Sequence, residues 1–430
     1  MPNSKIAILG AGLCGLSTAY HLKINYEIFE KEDTAGGLCR SYKSSGFTFD
    51  YDGHLLHFRN KDIYKLVSNL LGSALKPHQR KSFIRYLGRD IPYPFQASFL
   101  NLPERIAKEC LAGLKNAKNG HCKDYPNFEE WVYSAFGEGI ARHFMVPYNE
   151  KFWRMPCKEL TCDWFDGFIP VIKFKDVIEQ AKKLDNIGYN ACFYYPDKGG
   201  IEALPSALCS NLREKINFNS KITGISLNKK ELTINNTQKI KFKKIISTIP
   251  LPELTKIIKN IPKEIAHAAG LLNYNSILVF NIGLKRKINS NKHWIYFPES
   301  KYKYFRIGYY NSFSSGMSPA GCDSIYAEYS YPKSGCRNKE QVKKDVLKNL
   351  LDSGVVLARE DVVVCDIVNI KYGYPIYDHN YSYATSIITD FLLKNDIHSI
   401  GRYGSWRYMT MEDAILDGKR IAVAIDGYGL

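Results

Sequence analysis

Three glycines, Gly10, Gly12 and Gly15, stand in the run GAGLCG between the apolar stretch KIAILG and the helically spaced LSTAYHLK. A second apolar stretch, YEIFEK, carries Glu30 near its end, about twenty residues past the first glycine. Strand, glycine turn, helix, strand and acid in this order form a dinucleotide-binding pattern. Gly10 permits the tight turn, Gly12 lets the backbone approach a pyrophosphate, and Gly15 lets the helix lie close to the sheet. The helix N-terminus offers free N–H groups and a positive dipole end to phosphates. Glu30 can accept hydrogen bonds from ribose hydroxyls. At the far end GRYGSWRY (401–408) packs arginine, tyrosine and tryptophan into a turn that opens the helical segment MEDAILDGKRIAVAI.

The elements that must position these groups are mixed. Residues 5–10 and 26–31 read as strands around a helix. Helical spacing dominates 100–150, with breaks expected near Gly137 and Gly139, and continues in DVIEQAKKL (176–184). From about 215, period-two alternation with turn residues predicts short strands, and 274–330 continues as strands rich in Tyr and Phe. KEQVKKDVLKNLLDS (339–353) returns to helix. The fold class is α/β, with a Rossmann-like nucleotide-binding domain assembled from several chain segments.

With 430 residues the chain is long enough for two or three domains, and its hydrophobic (45%) and charged (24%) contents are those of an ordinary globular protein. The net charge of +16 is spread over scattered lysines, which argues for a lysine-rich surface and against a nucleic-acid partner, while leaving room for an anionic small substrate. No stretch of about 20 apolar residues predicts a membrane span, and no signal peptide is evident at the N-terminus. Eleven cysteines without CxxC pairs read as reduced thiols of a cytoplasmic protein, and no metal site is expected.

AGGLCRSY (35–42), with Gly37 and Arg40, resembles the second phosphate-binding turn of FAD enzymes of the amine-oxidase and protoporphyrinogen-oxidase type. Further segments resemble the UDP-galactopyranose mutase family, and its eukaryotic branch more than its bacterial one. FDYDGHLLHF (49–58) is similar to the histidine loop, which makes His54 the histidine near the flavin. IPYPFQ supplies Gln96, the long helical stretch to PYNEKFWRMP supplies Asn149 and Trp153, and GYNACFYYPDKGG supplies Asn190. HWIYFPESKYKYFRIGYY supplies Trp294, Tyr296 and Arg306, GYP supplies Tyr374, and the C-terminal run supplies Arg402 and Tyr408. The resemblance covers most of the chain, and the segments follow the family's order. It implies an FAD-binding domain from 1–75, 189–265 and 395–430, a helical domain over 100–188, and an antiparallel sheet or substrate domain from 76–99 and 266–394.

The same resemblance implies an isomerase active with reduced FAD. The family interconverts pyranose and furanose forms of a nucleotide sugar through a covalent bond between the sugar and flavin N5. His54, Arg306, Tyr374 and Tyr408 are the implied catalytic set. Gln96, Asn149, Trp153, Asn190, Trp294 and Tyr296 join Arg306 and the two tyrosines around the substrate. Gly10, Gly12, Gly15, Glu30, Gly37, Arg40, His54, Arg402 and Met411 are the implied cofactor set. An external reductant, NAD(P)H or a reductase, is implied as a partner, and a homo-oligomer is possible. Pattern alone offers plainer readings: Trp294 and Tyr296 as strand-core aromatics, Asn149 as a turn residue. The chain also departs from the family. Phe168 stands where the family has a second diphosphate arginine, with Lys173 or Lys175 as substitutes in reach, and MTMED replaces the family's mobile-loop asparagine. The sugar and nucleotide are therefore open, and an amine-oxidase-like oxidoreductase is the alternative. Richness in Lys, Asn and Ile suits a microbial surface-polysaccharide pathway.

Overall fold

The computed structural model describes residues 5–118, 120–164, 169–180, 191–288, 290–336 and 338–427. Phe168 and Asn190 lie outside these residues, as does the C-terminal part of the helix expected over 176–184, of which Phe174–Gln180 is described.

A first sheet orders the strands Ile222–Ser226, Glu231–Ile234, Gln238–Ser247, Lys5–Leu9, Tyr26–Phe29 and Ile216–Asn217, and Ile397–Ser399 pairs in parallel with the end of Gln238–Ser247. Lys5–Leu9 is parallel to both neighbours and buried along IAIL. A parallel strand covered on both faces needs such an unbroken apolar run. The helix Leu13–His21 lies over this sheet beside the last helix, Met411–Gly427. Their approach is close because Gly418 has no side chain: a Cβ there would stand 2.5 Å from the Cys14 carbonyl oxygen. Ser17 Oγ donates to the Ile415 carbonyl at 2.6 Å, tying the two ends of the chain together.

The second sheet runs Val362–Pro375, Tyr274–Leu284, Asp323–Pro332, Arg306–Tyr309, Trp294–Tyr296, Ser82–Tyr86 and Arg89–Pro92, antiparallel except where Trp294–Tyr296 meets Ser82–Tyr86. Its strand Tyr274–Leu284, one in from the edge, is buried at every residue. The helix Val146–Trp153 packs on the sheet's strand Asp323–Pro332, and the helices Glu104–Lys115 and Phe128–Ile140 pack against each other. The expected break falls at Gly137, whose φ of +74° interrupts the helix. A Cβ on Gly137 would meet the Gly113 backbone at 2.2 Å, and one on Gly139 would meet Cys110 Cα at 2.5 Å. The glycines are thus a contact between crossing helices, not merely a stop signal.

One expectation is overturned here. Cys122 and Cys162 form a disulfide, with Cα atoms 5.6 Å apart, so the cysteines are not all reduced thiols. The pairing joins residues 40 apart in sequence, and no spacing motif announces it. Among the described residues no helix is long and apolar enough to cross a membrane.

Candidate active site

Two clefts meet in the body of the fold. The larger, of about 670 Å³, runs along the carboxyl ends of the first sheet, and Gly10, Gly12, Glu30, Gly37 and Arg40 line it. Gly10 takes φ +98°, and a Cβ there would collide with Thr248 Oγ1 at 2.3 Å. A Cβ on Gly12 would have only Gly37 Cα within 4 Å, so a side chain there would grow into the cleft. Gly15 does not line the cleft. Its missing Cβ clears the Gly10 carbonyl, which would otherwise be 2.0 Å away, and so seats the helix on the turn. Gly12 gives that helix no side-chain cap, and its first N–H groups are left for a ligand. Glu30 Oε2 accepts from Ala11 N at 2.8 Å and Oε1 from Glu32 N at 3.0 Å, which pins the carboxylate at the cleft wall. Arg40 donates from Nε to the Gly37 carbonyl at 2.8 Å and stacks over Tyr51 at 4.5 Å. An open glycine at the turn, free helix amides and a fixed acid fit an adenine dinucleotide.

The second cleft, of about 230 Å³, lies between the second sheet and the helices. His54, Arg402, Met409, Thr410 and Met411 line both clefts and form their junction. Met411 opens the last helix at this point. His54 is half-buried and its Nδ1 has no hydrogen-bond partner. Burial pushes its imidazole below the ordinary range, the Arg402 and Arg306 charges add to this, and Asp52 opposes it. A neutral ring faces the junction.

Tyr296, Arg306 and Glu328 stand side by side across three strands, each in register with the next. Arg306 grips Glu328 with Nε on Oε2 and with Nη2 on Oε1 at 2.7 Å. Two rows along, on the same face, stand Trp294, Gly308 and Tyr326. A Cβ on Gly308 would lie 2.0 Å from Tyr326 Cζ, and one on Gly53 would lie 2.2 Å from its Oη. The two glycines therefore make the slot in which the Tyr326 ring lies. Tyr374 and Tyr408 stack at 5.6 Å, with the Arg402 guanidinium 5.2 Å from the first ring and 5.5 Å from the second. Asn275 sets Tyr374 by accepting from its N–H at 2.8 Å.

Of the sequence-predicted substrate residues, Gln96, Asn149, Trp294, Tyr296, Arg306, Tyr374 and Tyr408 line this cleft together. Gln96 donates to the Pro170 carbonyl at 2.6 Å and leaves Oε1 without a partner. Asn149 spends its amide N–H on the Met145 carbonyl at 2.7 Å. Trp153 does not line the cleft; it is fully buried behind Tyr374 and Trp164. Lys173 and Lys175 are exposed and do not line it either. Sequence reasoning passed over Asp52, Tyr93, Tyr148 and Tyr326, all of which line the cleft. Asp52 was in view within the histidine loop. Glu328, beneath Arg306, was signalled by an acid at an inward position of the strand DSIYAEYSYP.

A family model for flavin-containing amine oxidoreductases matches residues 13–347. The chain belongs to this family. The crystal structure of a reduced UDP-galactopyranose mutase superposes with a TM-score of 0.93, covering 100% of this chain and 95% of that one at 28% identity. Protoporphyrinogen oxidase 2 of Arabidopsis thaliana is 23% identical over 99% of this chain and 94% of its own length. A 4,4'-diapophytoene desaturase of Staphylococcus aureus is 28% identical over 35% of this chain and 29% of its own. The expected likeness to the mutase family thus extends over the full length of this flavoprotein, the Rossmann-like α/β fold is the family's, and FAD is its cofactor.

Proposed function

We propose that this flavoenzyme is a nucleotide-sugar mutase that interconverts pyranose and furanose forms of UDP-galactopyranose or a related sugar, with its FAD reduced. One observation carries the reading most: the cleft that opens onto the flavin site is walled by an arginine and hydroxyl groups, as an anionic sugar nucleotide requires. When bound and reduced, the flavin supplies the nucleophile toward the sugar. The chain's residues place that sugar. Arg306 and Arg402 offer positive charge to the diphosphate, and Tyr374 and Tyr408 present phenols to its oxygens. Trp294 and Tyr296 give faces for the base and ribose. Gln96 Oε1, buried and without a partner, accepts from a substrate hydroxyl, and Asn149 offers its remaining oxygen. His54 holds a neutral ring at the flavin. Arg402 takes the part of the second cation, since neither Lys173 nor Lys175 lines the cleft. A reductant, NAD(P)H or a reductase, keeps the flavin active, and the activity serves polysaccharide assembly in the cytoplasm.

Binding tests this directly. UDP added to the FAD-loaded protein should perturb the flavin spectrum at saturating, measurable affinity, while uridine without phosphate should not. Equal binding of both would remove the diphosphate cradle. The family model and the oxidase relative keep one other reading in play, oxidation of a donor by oxidised FAD.

A further inference from the structure

Arg306 does not face the cleft as a bare cation. Its guanidinium is engaged side-on, through Nε and Nη2, by Glu328, which is fully buried. Asp52 is buried as well and lines the cleft next to His54. Gly53 beside it lies against the Tyr326 ring of Glu328's own strand, which lays the Asp52 loop over that strand, and the charge of Asp52 acts on Glu328. Asp52 also accepts from Gly53 N at 2.8 Å through Oδ1, and its carbonyl accepts from His54 N at 2.8 Å. That loop geometry holds the carboxyl where it is.

Two carboxyl groups this close, out of water, do not both ionise, and one proton sits between them. We propose that Asp52 and Glu328 form a proton-sharing pair beneath Arg306, and that keeping this proton is what frees Arg306 to hold an anionic ligand. With the proton in place, the arginine and the pair together are neutral, and an arriving diphosphate meets little repulsion. Once the proton is lost, two carboxylates face one guanidinium. Arg306 is then committed to Glu328, and the cleft floor repels a phosphate. Asp52 and Glu328 are positioning residues: they act through Arg306.

The groups that face the pair agree with this. They are Arg306 from the neighbouring strand, Tyr326 from Glu328's own strand, Tyr148 from the helix above, His54 and the buried acid Asp50 from the Asp52 segment, and the phenols of Tyr310, Tyr374 and Tyr403 around Asp52. Burial keeps the tyrosines protonated and His54 neutral and pushes Asp50 up to about 6, so Arg306 is the fixed cation against the pair. Burial is also the main reason that Glu328 is pushed up to about 8; Arg306 lowers it and Asp52 raises it further. The consequence for ligands rests on the reading of this cleft as a diphosphate site. The existence of the pair does not.

The experiment uses FAD-loaded protein without ligand, titrated under infrared difference spectroscopy from about pH 6 to about pH 9. A carbonyl band of a protonated carboxylic acid should vanish with a midpoint near 8. The band should be missing in Glu328→Gln. In Asp52→Asn the midpoint should fall by roughly one pH unit, since the like charge is gone. UDP titrations over the same range complete the test. Wild-type affinity should fall by roughly tenfold per pH unit above the midpoint, and that of Glu328→Gln should stay level. No acid band at neutral pH, or a band indifferent to both substitutions, overturns the pair. An identical pH profile for UDP in all three proteins overturns its control of Arg306. Absence of UDP binding at every pH, with the band behaving as stated, would instead defeat the proposed function and leave the pair standing.

Discussion

Gly308→Ala puts one methyl group where the Tyr326 ring now lies. The added carbon would stand 2.0 Å from Cζ, 2.1 Å from Cε1 and 2.3 Å from Oη, against the 3.0 Å below which such contacts do not occur. The ring must retreat by about 1 Å, and it has nowhere to go: Tyr326 is 1% exposed and Gly53 closes the other side. Overpacking of this kind costs about 1–3 kcal/mol. That lowers Tm by roughly 1–3 °C in a chain of this size. Because Tyr326 lines the substrate cleft and not the nucleotide cleft, the strain should be felt by one ligand only. If binding must restore the ring, the same 1–3 kcal/mol weakens UDP by roughly 5- to 150-fold. Flavin content by absorbance, Tm by calorimetry and UDP affinity by spectral titration report the three quantities on one sample. The reasoning is refuted if the variant binds UDP normally with an unchanged Tm, or if it loses FAD as readily as UDP.

Other outcomes follow from the same geometry. Gly12→Val should yield folded protein nearly free of flavin, because its side chain has only the cleft to occupy; a flavin-to-protein ratio near that of the wild type would contradict this. Arg306→Ala should weaken UDP by about 1.5–3 kcal/mol, the worth of a charge-assisted contact, and unchanged affinity would remove Arg306 from the cradle. Glu328 is raised from the ordinary carboxylate range to about 8, so its contribution to stability is complete at low pH and is lost as pH rises through 8. Wild-type protein should therefore lose Tm relative to Glu328→Gln between about pH 5 and 8, and a constant difference across that window would count against the assignment. Cys162→Ser opens a bridge between residues 40 apart and should cost up to about 4 kcal/mol in oxidising buffer, with no effect under reductant; chemical denaturation in the two buffers decides.

What could be read from the sequence was local. Gly10, Gly12, Gly15 and Glu30 form a cleft wall and a turn because a strand, a turn and a helix set them within one βαβ unit. Arg402 and Met411 line the same cleft from the other end of the chain, which only the resemblance to a known family foretold, since no local pattern links the two ends. What escaped depended on register between distant strands. Glu328 pairs with Arg306 across 22 residues, and nothing in YAEYSY says which cation it meets. Asp52 became half of an acid pair only when the histidine loop was laid over that strand. Trp153 shows the converse error: an aromatic in a matched segment was given to the substrate, yet the helix turns its ring into the core behind Tyr374. The cysteine bridge was invisible because covalent partners, like cross-strand partners, are chosen by the fold.

The central claim is isomerisation at a reduced flavin. Dithionite-reduced, FAD-loaded protein should be incubated without oxygen with UDP-galactopyranose and a panel of other nucleotide sugars, and the products resolved by chromatography and NMR. The account predicts a ring isomer of unchanged mass from at least one sugar, formed with reduced flavin and not with oxidised flavin. No isomer from any sugar, together with reduction of the oxidised flavin by an amine or alkene donor, would contradict it and place the chain among the family's oxidoreductases.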